Sequence, residues 1–217
     1  MKDLEKGNFQ PINEEAQKLY KQAFELIREA MIMEGKTDQH TVLISYRDKE
    51  VCGMIGYDNI NDDKHGMDAR DEKEHYIESK TCSYKPKKTS AVFNDMTIEN
   101  AQHFKNKNVM ICFTEWLSTV EPSFGVIGQN PSIGDFFIRC VENHKKKGTS
   151  RCSPNISFND FVFKYNFKIV AFTISKSEVV RILKERSKRL YKNLTEEDIL
   201  SVEEWIEYKN NFYKENI

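Results

Sequence analysis

Residues 67–82 leave the chain little freedom. Gly66-Met67-Asp68-Ala69 is followed by the polar run Arg70-Asp71-Glu72-Lys73-Glu74 and then by Tyr76-Ile77-Glu78-Ser79-Lys80-Thr81. Residues 75–81 alternate with period 2, which predicts a short strand, and the polar run before them suits a turn. The result is a hairpin. Successive side chains of a strand point to opposite faces, so Glu78 and Lys80 share one face with Tyr76 in line. Asp68, on the preceding strand, arrives beside them. Two carboxylates and one ammonium therefore converge. Such a set can hold a hard divalent cation through oxygen ligands, with the ammonium next to a phosphate or an attacking water. The same residues also suit an exposed hairpin closed by a cross-strand salt bridge. Asp58, twenty residues before Glu78, is a rival for the first acid. The short hairpin favours Asp68.

The surrounding segments set this hairpin in an α/β chain. Asn13-Glu14-Glu15 reads as a helix start with acids in the first turn. Ala16, Leu19, Tyr20, Ala23, Ile27, Ala30 and Met31 recur at helical spacing up to Gly35. Residues 42–46 and 51–57 are two apolar runs that fit either a helix or strands, and residues 59–66 read as a polar loop. Residues 97–104 suit a short helix. Asn108-Val109-Met110-Ile111-Cys112-Phe113-Thr114 reads as a buried central strand.

Residues 120–134 are punctuated by Gly, Pro and Ser, as in a loop. Residues 136–147 suit a helix with a basic end, and residues 168–173 a further strand. Ser175 with Glu178 predicts a capping box, with an Ile174–Val179 staple, for a helix over 176–192. Thr195 with Asp198 predicts another cap, for a helix carrying Ile199, Val202, Trp205 and Ile206. The expected fold is a single α/β domain over 1–217, with a central mixed sheet flanked by helices. Its core spans about 13–116, and its C-terminal region (about 155–217) is a strand with helices.

In Asp68 and Glu78-Ser79-Lys80 the chain resembles the PD-(D/E)XK nuclease superfamily, and within it the type II restriction endonucleases. Met67 stands where the family name has Pro. The order helix, strands, hairpin, helix, strand over about 13–116 is similar to the family's αβββαβ core. The resemblance implies a Mg²⁺-dependent, sequence-specific endonuclease acting on double-stranded DNA and leaving 5′-phosphate and 3′-hydroxyl ends. Asp68 and Glu78 would bind Mg²⁺, and Lys80 would orient or help deprotonate the water and stabilise developing charge. Cutting both strands implies a homodimer or two successive nicks. Members of the superfamily also place an acid from the first helix near the metal, a role open here to Glu25, Glu29 and Glu34. A repair or excision nuclease, or a non-catalytic nucleic-acid-binding module of the same fold, stays open beside restriction.

Charge distribution bears on the same question. The net charge is −1, so no global basic field points to nucleic acid. Locally the balance is uneven. Residues 48–78 hold ten acids against four Lys/Arg; residues 80–88 hold four Lys and no acid; residues 139–152 hold five Lys/Arg against one Glu. Lys85, Lys87 and Lys88 form one basic loop, and Lys145, Lys146, Lys147 and Arg151 another. Each suits DNA contact: phosphates for the lysines, a base edge for Arg151. Each also suits a solvated face.

Other site classes find little support. The five cysteines are odd in number and lack CxxC spacing, which fits reduced thiols in a cytoplasmic protein. The five histidines are scattered, disfavouring a His-based metal site. No P-loop motif is present. No secretory signal and no membrane span is expected.

Overall fold

Alternation and apolar runs resolve into one mixed sheet with helices on both faces. The computed structural model describes residues 7–33, 41–61, 66–149 and 151–216. Along the chain run β1 (Phe9–Pro11), α1 (Glu14–Met33), α2 (Thr41–Met54), β2 (Asn59–Asn61), β3 (Ala69–Arg70), β4 (Tyr76–Ser83), β5 (Ser90–Val92), α3 (Ile98–His103) and β6 (Val109–Trp116). Then follow β7 (Phe124–Gly128), α4 (Ser132–Lys145), β8 (Asn155–Ser157), α5 (Phe158–Phe163), β9 (Lys168–Ala171), α6 (Lys176–Arg186), a 3₁₀ turn (Glu196–Asp198), β10 (Ile199–Leu200) and α7 (Val202–Asn216). Eight strands form one sheet in the order β1-β2-β3-β4-β6-β7-β9-β10, while β5 and β8 form a separate pair. The β4–β6 and β9–β10 pairs are parallel and the rest of the sheet is antiparallel.

Strand β6 lies near the middle, and all eight of its residues are buried. Its near-continuous apolar run is what a strand covered on both faces requires. Alternation divides it between two cores. Val109, Ile111 and Phe113 join Phe137, Phe158 and Phe161 on the α3–α6 side. Met110, Cys112 and Trp116 join Phe24, Tyr46 and Trp205 on the side of α1, α2 and α7. Each large apolar side chain so buried contributes roughly 1.5–3 kcal/mol.

The hairpin, the short helix after it and the central strand form as expected. Asn13 Oδ1 accepts from the Ala16 N–H at the start of α1. Glu34 and Gly35, the expected end of that helix, lie outside the described residues, as do residues 62–65 of the polar loop and Ser150. Several segments differ from expectation. The run at 42–46 and the first part of the run at 51–57 are one helix, α2, bridged by Arg47-Asp48-Lys49-Glu50, with Ile55 and Gly56 in the turn that follows. The polar loop starts as strand β2, paired between β1 and β3. The stretch at 120–134 contains β7, whose glycines answer close approach: a Cβ on Gly125 would stand 2.6 Å from the Phe113 carbonyl oxygen.

Helix α6 ends at Arg186, not at 192, because Ser187 is extended (φ −155°, ψ 95°). The Thr195–Asp198 box caps a 3₁₀ turn, and α7 begins only at Val202, with the Ser201 hydroxyl accepting from the Glu204 N–H. The strand expected at 168–173 forms as β9, and the short strands β8 and β10 join it in the C-terminal region. Among the described residues no helix is long and apolar enough to cross a membrane.

Candidate active site

The β3–β4 turn fixes the register on which the site depends. Asp71 Oδ1 accepts from the N–H groups of Lys73 (2.9 Å) and His75 (3.0 Å), and its Oδ2 lies 2.9 Å from His75 Nδ1. Glu74 takes a left-handed conformation (φ 60°) to close the turn. Ala69 then pairs with Ile77, and one step further the same register sets Asp68 across from Glu78. The Asp68 N–H donates to the Ile77 carbonyl at 3.0 Å. Its Oδ2 accepts from the Ser79 N–H at 2.7 Å, which holds the carboxylate over β4.

Lys80 Nζ donates to Glu78 Oε1 at 2.6 Å and to the Ser79 carbonyl at 3.0 Å, and stands 3.9 Å from Asp68 Oδ2. The Phe93 ring centroid lies 5.6 Å from Nζ. All three expected side chains are partly buried and come together. Ser79 points to the opposite face, and there its hydroxyl donates to Asp48 Oδ1 on α2 at 2.9 Å. A fourth ionisable group thus joins the set from a segment whose type the sequence left open. Had residues 41–54 been read as one helix, Asp48 would have fallen a turn after Ile44 and a turn before Cys52. Glu50 faces elsewhere, accepting from Gln17 Nε2.

Burial, with the Asp68 charge beside it, raises two of the acids. Burial pushes the Glu78 carboxyl up to about 7, the Asp68 charge adds to this, and Lys80 opposes it. Burial, then Asp68, also lifts Asp48 well above the usual carboxylate range. For Lys80, burial works downward, but the charges of Glu78 and Asp68 outweigh it and hold the ammonium above its ordinary value. The cleft over these groups measures about 400 Å³, and Asp48, Glu78 and Lys80 face Phe93, Asn100 and His103 across it.

Among the described residues no three His, Cys, Asp or Glu side chains stand in a ready metal cage. The chemistry of the donors nevertheless fits a hard divalent cation. Asp68 and Glu78 offer carboxylate oxygens across the hairpin, and the burial and neighbouring negative charge that raise Glu78 are what a bound cation would offset.

The other candidates separate cleanly. Asp58 is exposed, accepts from Asn59 Nδ2, and lines a different groove with Tyr57 and Glu72. Glu25 faces Arg28 at 3.7 Å and Glu29 is exposed; neither lines the cleft. Lys85, Lys87 and Lys88 are exposed on the segment joining β4 to β5, so the cleft residues Lys80 and Val92 flank them in sequence. Lys145, Lys146 and Lys147 are exposed at the end of α4, and Arg151 is exposed just before Cys152. Cys152 bridges to Met96, a cleft residue, which brings that loop back to the rim. None of the seven lines the cleft itself. No protein-family model, curated protein or solved structure matches the chain.

Proposed function

We propose that the chain is a Mg²⁺-dependent DNA endonuclease of the restriction type, with its active site in the cleft beneath β4. The observation that carries this reading is the meeting of Asp68, Glu78 and Lys80 within 3.9 Å at a partly buried cleft. Leaving aside β5, which pairs with β8 outside the main sheet, the order α2, β2, β3, β4, α3, β6, with β4 and β6 parallel, supports an αβββαβ core of the restriction-endonuclease kind.

Asp68 and Glu78 would hold the metal, which when bound supplies Lewis-acid stabilisation of the phosphate and a more acidic water. Asp48 would take the part expected of an acid from the first helix, through Ser79 or directly. The neighbouring carboxylates keep Lys80 protonated. It therefore acts as a cation that orients the water and balances charge gathering on the phosphate oxygens, rather than as the base. The rim lysines would track the duplex backbone. Cutting both strands requires two such clefts or two successive nicks.

The test is digestion of a mixed plasmid and linear duplex substrate with Mg²⁺, followed by sequencing of the ends. Cleavage should vanish in excess chelator and return with Mg²⁺ or Mn²⁺, while Ca²⁺ should support binding without efficient cutting. Undiminished cleavage in chelator would overturn the reading.

A further inference from the structure

Helix α1 turns most of its apolar residues to solvent. It meets the body through Phe24, which is buried and packs on Tyr46 with ring centroids 5.2 Å apart. On the outward side Leu19, Ala23, Leu26, Ala30 and Met33 recur at spacings of four and three, the spacing of a coiled-coil seam. Leu19 is 63% exposed, Leu26 68% and Met33 85%. Tyr20 and Ile27 widen the stripe, at 46% and 40%. Together these side chains expose on the order of 600 Å² per copy, the upper end of the largest apolar patch a monomer usually shows.

We propose that this face of α1 is a homodimer interface, covered by α1 of a second copy of the chain running antiparallel. Three features choose that occupant. Two copies would bury roughly 1,200 Å², the lower end of a stable specific interface. The residues nearest in sequence offer no apolar cover: Glu34-Gly35-Lys36-Thr37-Asp38-Gln39-His40 contains none, and residues 1–6 contain only Met1 and Leu4. The flank of the stripe carries Lys18 in the first half of the helix and Glu29 in the second, while Glu25, midway, pairs with Arg28 and Glu14 and Glu15 precede Lys18. Antiparallel pairing brings Lys18 within a turn of Glu29 of the second helix, whereas parallel pairing would set Lys18 against Lys18 and Glu29 against Glu29. It also opposes the two helix dipoles. Leu19 then faces Ala30 and Leu26 faces Ala23, large against small.

This surface argument uses nothing of the proposed chemistry, so the two can fail separately. Sedimentation equilibrium of the full chain at micromolar concentration should show a dimer. Leu26→Glu should weaken it by more than about tenfold, with far-ultraviolet circular dichroism unchanged because Leu26 is not in the core. Leu19→Glu serves as the independent second variant. Lys18→Glu and Glu29→Lys should each weaken the dimer, and the double variant should restore it. A wild-type monomer, or a dimer indifferent to both Glu substitutions, would overturn the interface. A double variant no better than either single one would overturn the antiparallel pairing. If the cleft is a nuclease, the Leu26→Glu monomer should still nick plasmid while losing concerted duplex cleavage. A dimer without any cleavage would sink the nuclease reading alone.

Discussion

At the scale of single residues, the rival acids make opposite predictions. Asp68 is held by the Ser79 N–H and stands 3.9 Å from Lys80, whereas Asp58 lines another groove. Asp68→Ala, Glu78→Ala and Lys80→Ala should each lower the cleavage rate by at least about 100-fold, the scale of losing one group that stabilises transition-state charge. Asp58→Ala should cut at near wild-type rate in the same plasmid assay. Asp48→Ala should fall with the first group, and Ser79→Ala should show a smaller loss. A dead Asp58→Ala beside an active Asp68→Ala would reverse the assignment.

Glu78 also sets a pH dependence. Its folded-state value near 7 lies above the ordinary 4.5, so the folded protein keeps a proton that the unfolded chain releases. Metal-free stability should therefore decline as pH rises from about 4.5 to 7, then level off. If the cleft takes a divalent cation as proposed, that binding should have the opposite slope, because it needs the carboxylate: affinity should rise through pH 7, with up to about one proton released per metal at pH 6. Calorimetric titration with Ca²⁺ in two buffers of different ionisation enthalpy reads that proton. Release that is absent at pH 6 would remove Glu78 from the metal site.

At the scale of elements, the hairpin was legible because its signals were local: alternation in β4, a polar turn, and a short gap that leaves one register. The central strand was legible for the same reason. Helix α2 was not. Its buried residues include Arg47 among Leu43, Tyr46, Val51 and Cys52, while Ile44 is 53% exposed, so no clean apolar stripe marks it. What makes Arg47 tolerable inside is tertiary: its Nε and an Nη donate to the Thr119 carbonyl at 3.0 Å, and its guanidinium lies over Trp116. Strand β7 was hidden by glycines that look like loop punctuation but answer Phe113 and Phe167 across the sheet. Asp48 was therefore missed along with its helix.

The basic loop between β4 and β5 carries an element-scale prediction. Its anchor is Thr89, buried and hydrogen bonded to Glu115 at 2.5 Å, so the lysines project from a fixed base. Replacing Lys85, Lys87 and Lys88 together by Ala should weaken binding to all duplexes. It should also reduce the salt dependence by roughly 0.9 of a slope unit per lost phosphate contact. Replacing Arg151 should instead relax discrimination at one base pair, by roughly 1–3 kcal/mol, if it reads a base. Filter-binding salt titrations on cognate and scrambled duplexes distinguish these, and unchanged slopes would assign both loops to solvent.

At the scale of the whole molecule, the C-terminal half is built into the sheet. Strands β7, β9 and β10 extend it beyond β6, and Arg186 of α6 reaches back to Glu115 of β6 at 2.5 Å, both side chains almost fully buried. Helix α7 in turn holds α2. The Lys209 ammonium donates to the Ile55 and Gly56 carbonyls at 3.2 and 3.0 Å, closing the C-terminal end of α2. Tyr213 stacks on His75 at 3.5 Å between centroids, bracing the turn that sets Asp68 opposite Glu78. The expected core of about 13–116 should therefore not fold alone: cut after Trp116, β6 loses β7 and its apolar residues meet water. Breaking the buried pair should cost about 3–5 kcal/mol in Glu115→Ala, because Arg186 is left charged and unpartnered, and less in Glu115→Leu/Arg186→Met. A chain ending at Ser201 tests the link from α7 to the cleft. Losing Lys209, Trp205 and Tyr213 together, it should melt at lower temperature and bind Ca²⁺ more weakly, since both Asp48 and the hairpin turn lose their support. If that truncation keeps full stability and metal affinity, the cleft is held by the hairpin and β6 alone, and the C-terminal helix has no part in positioning it.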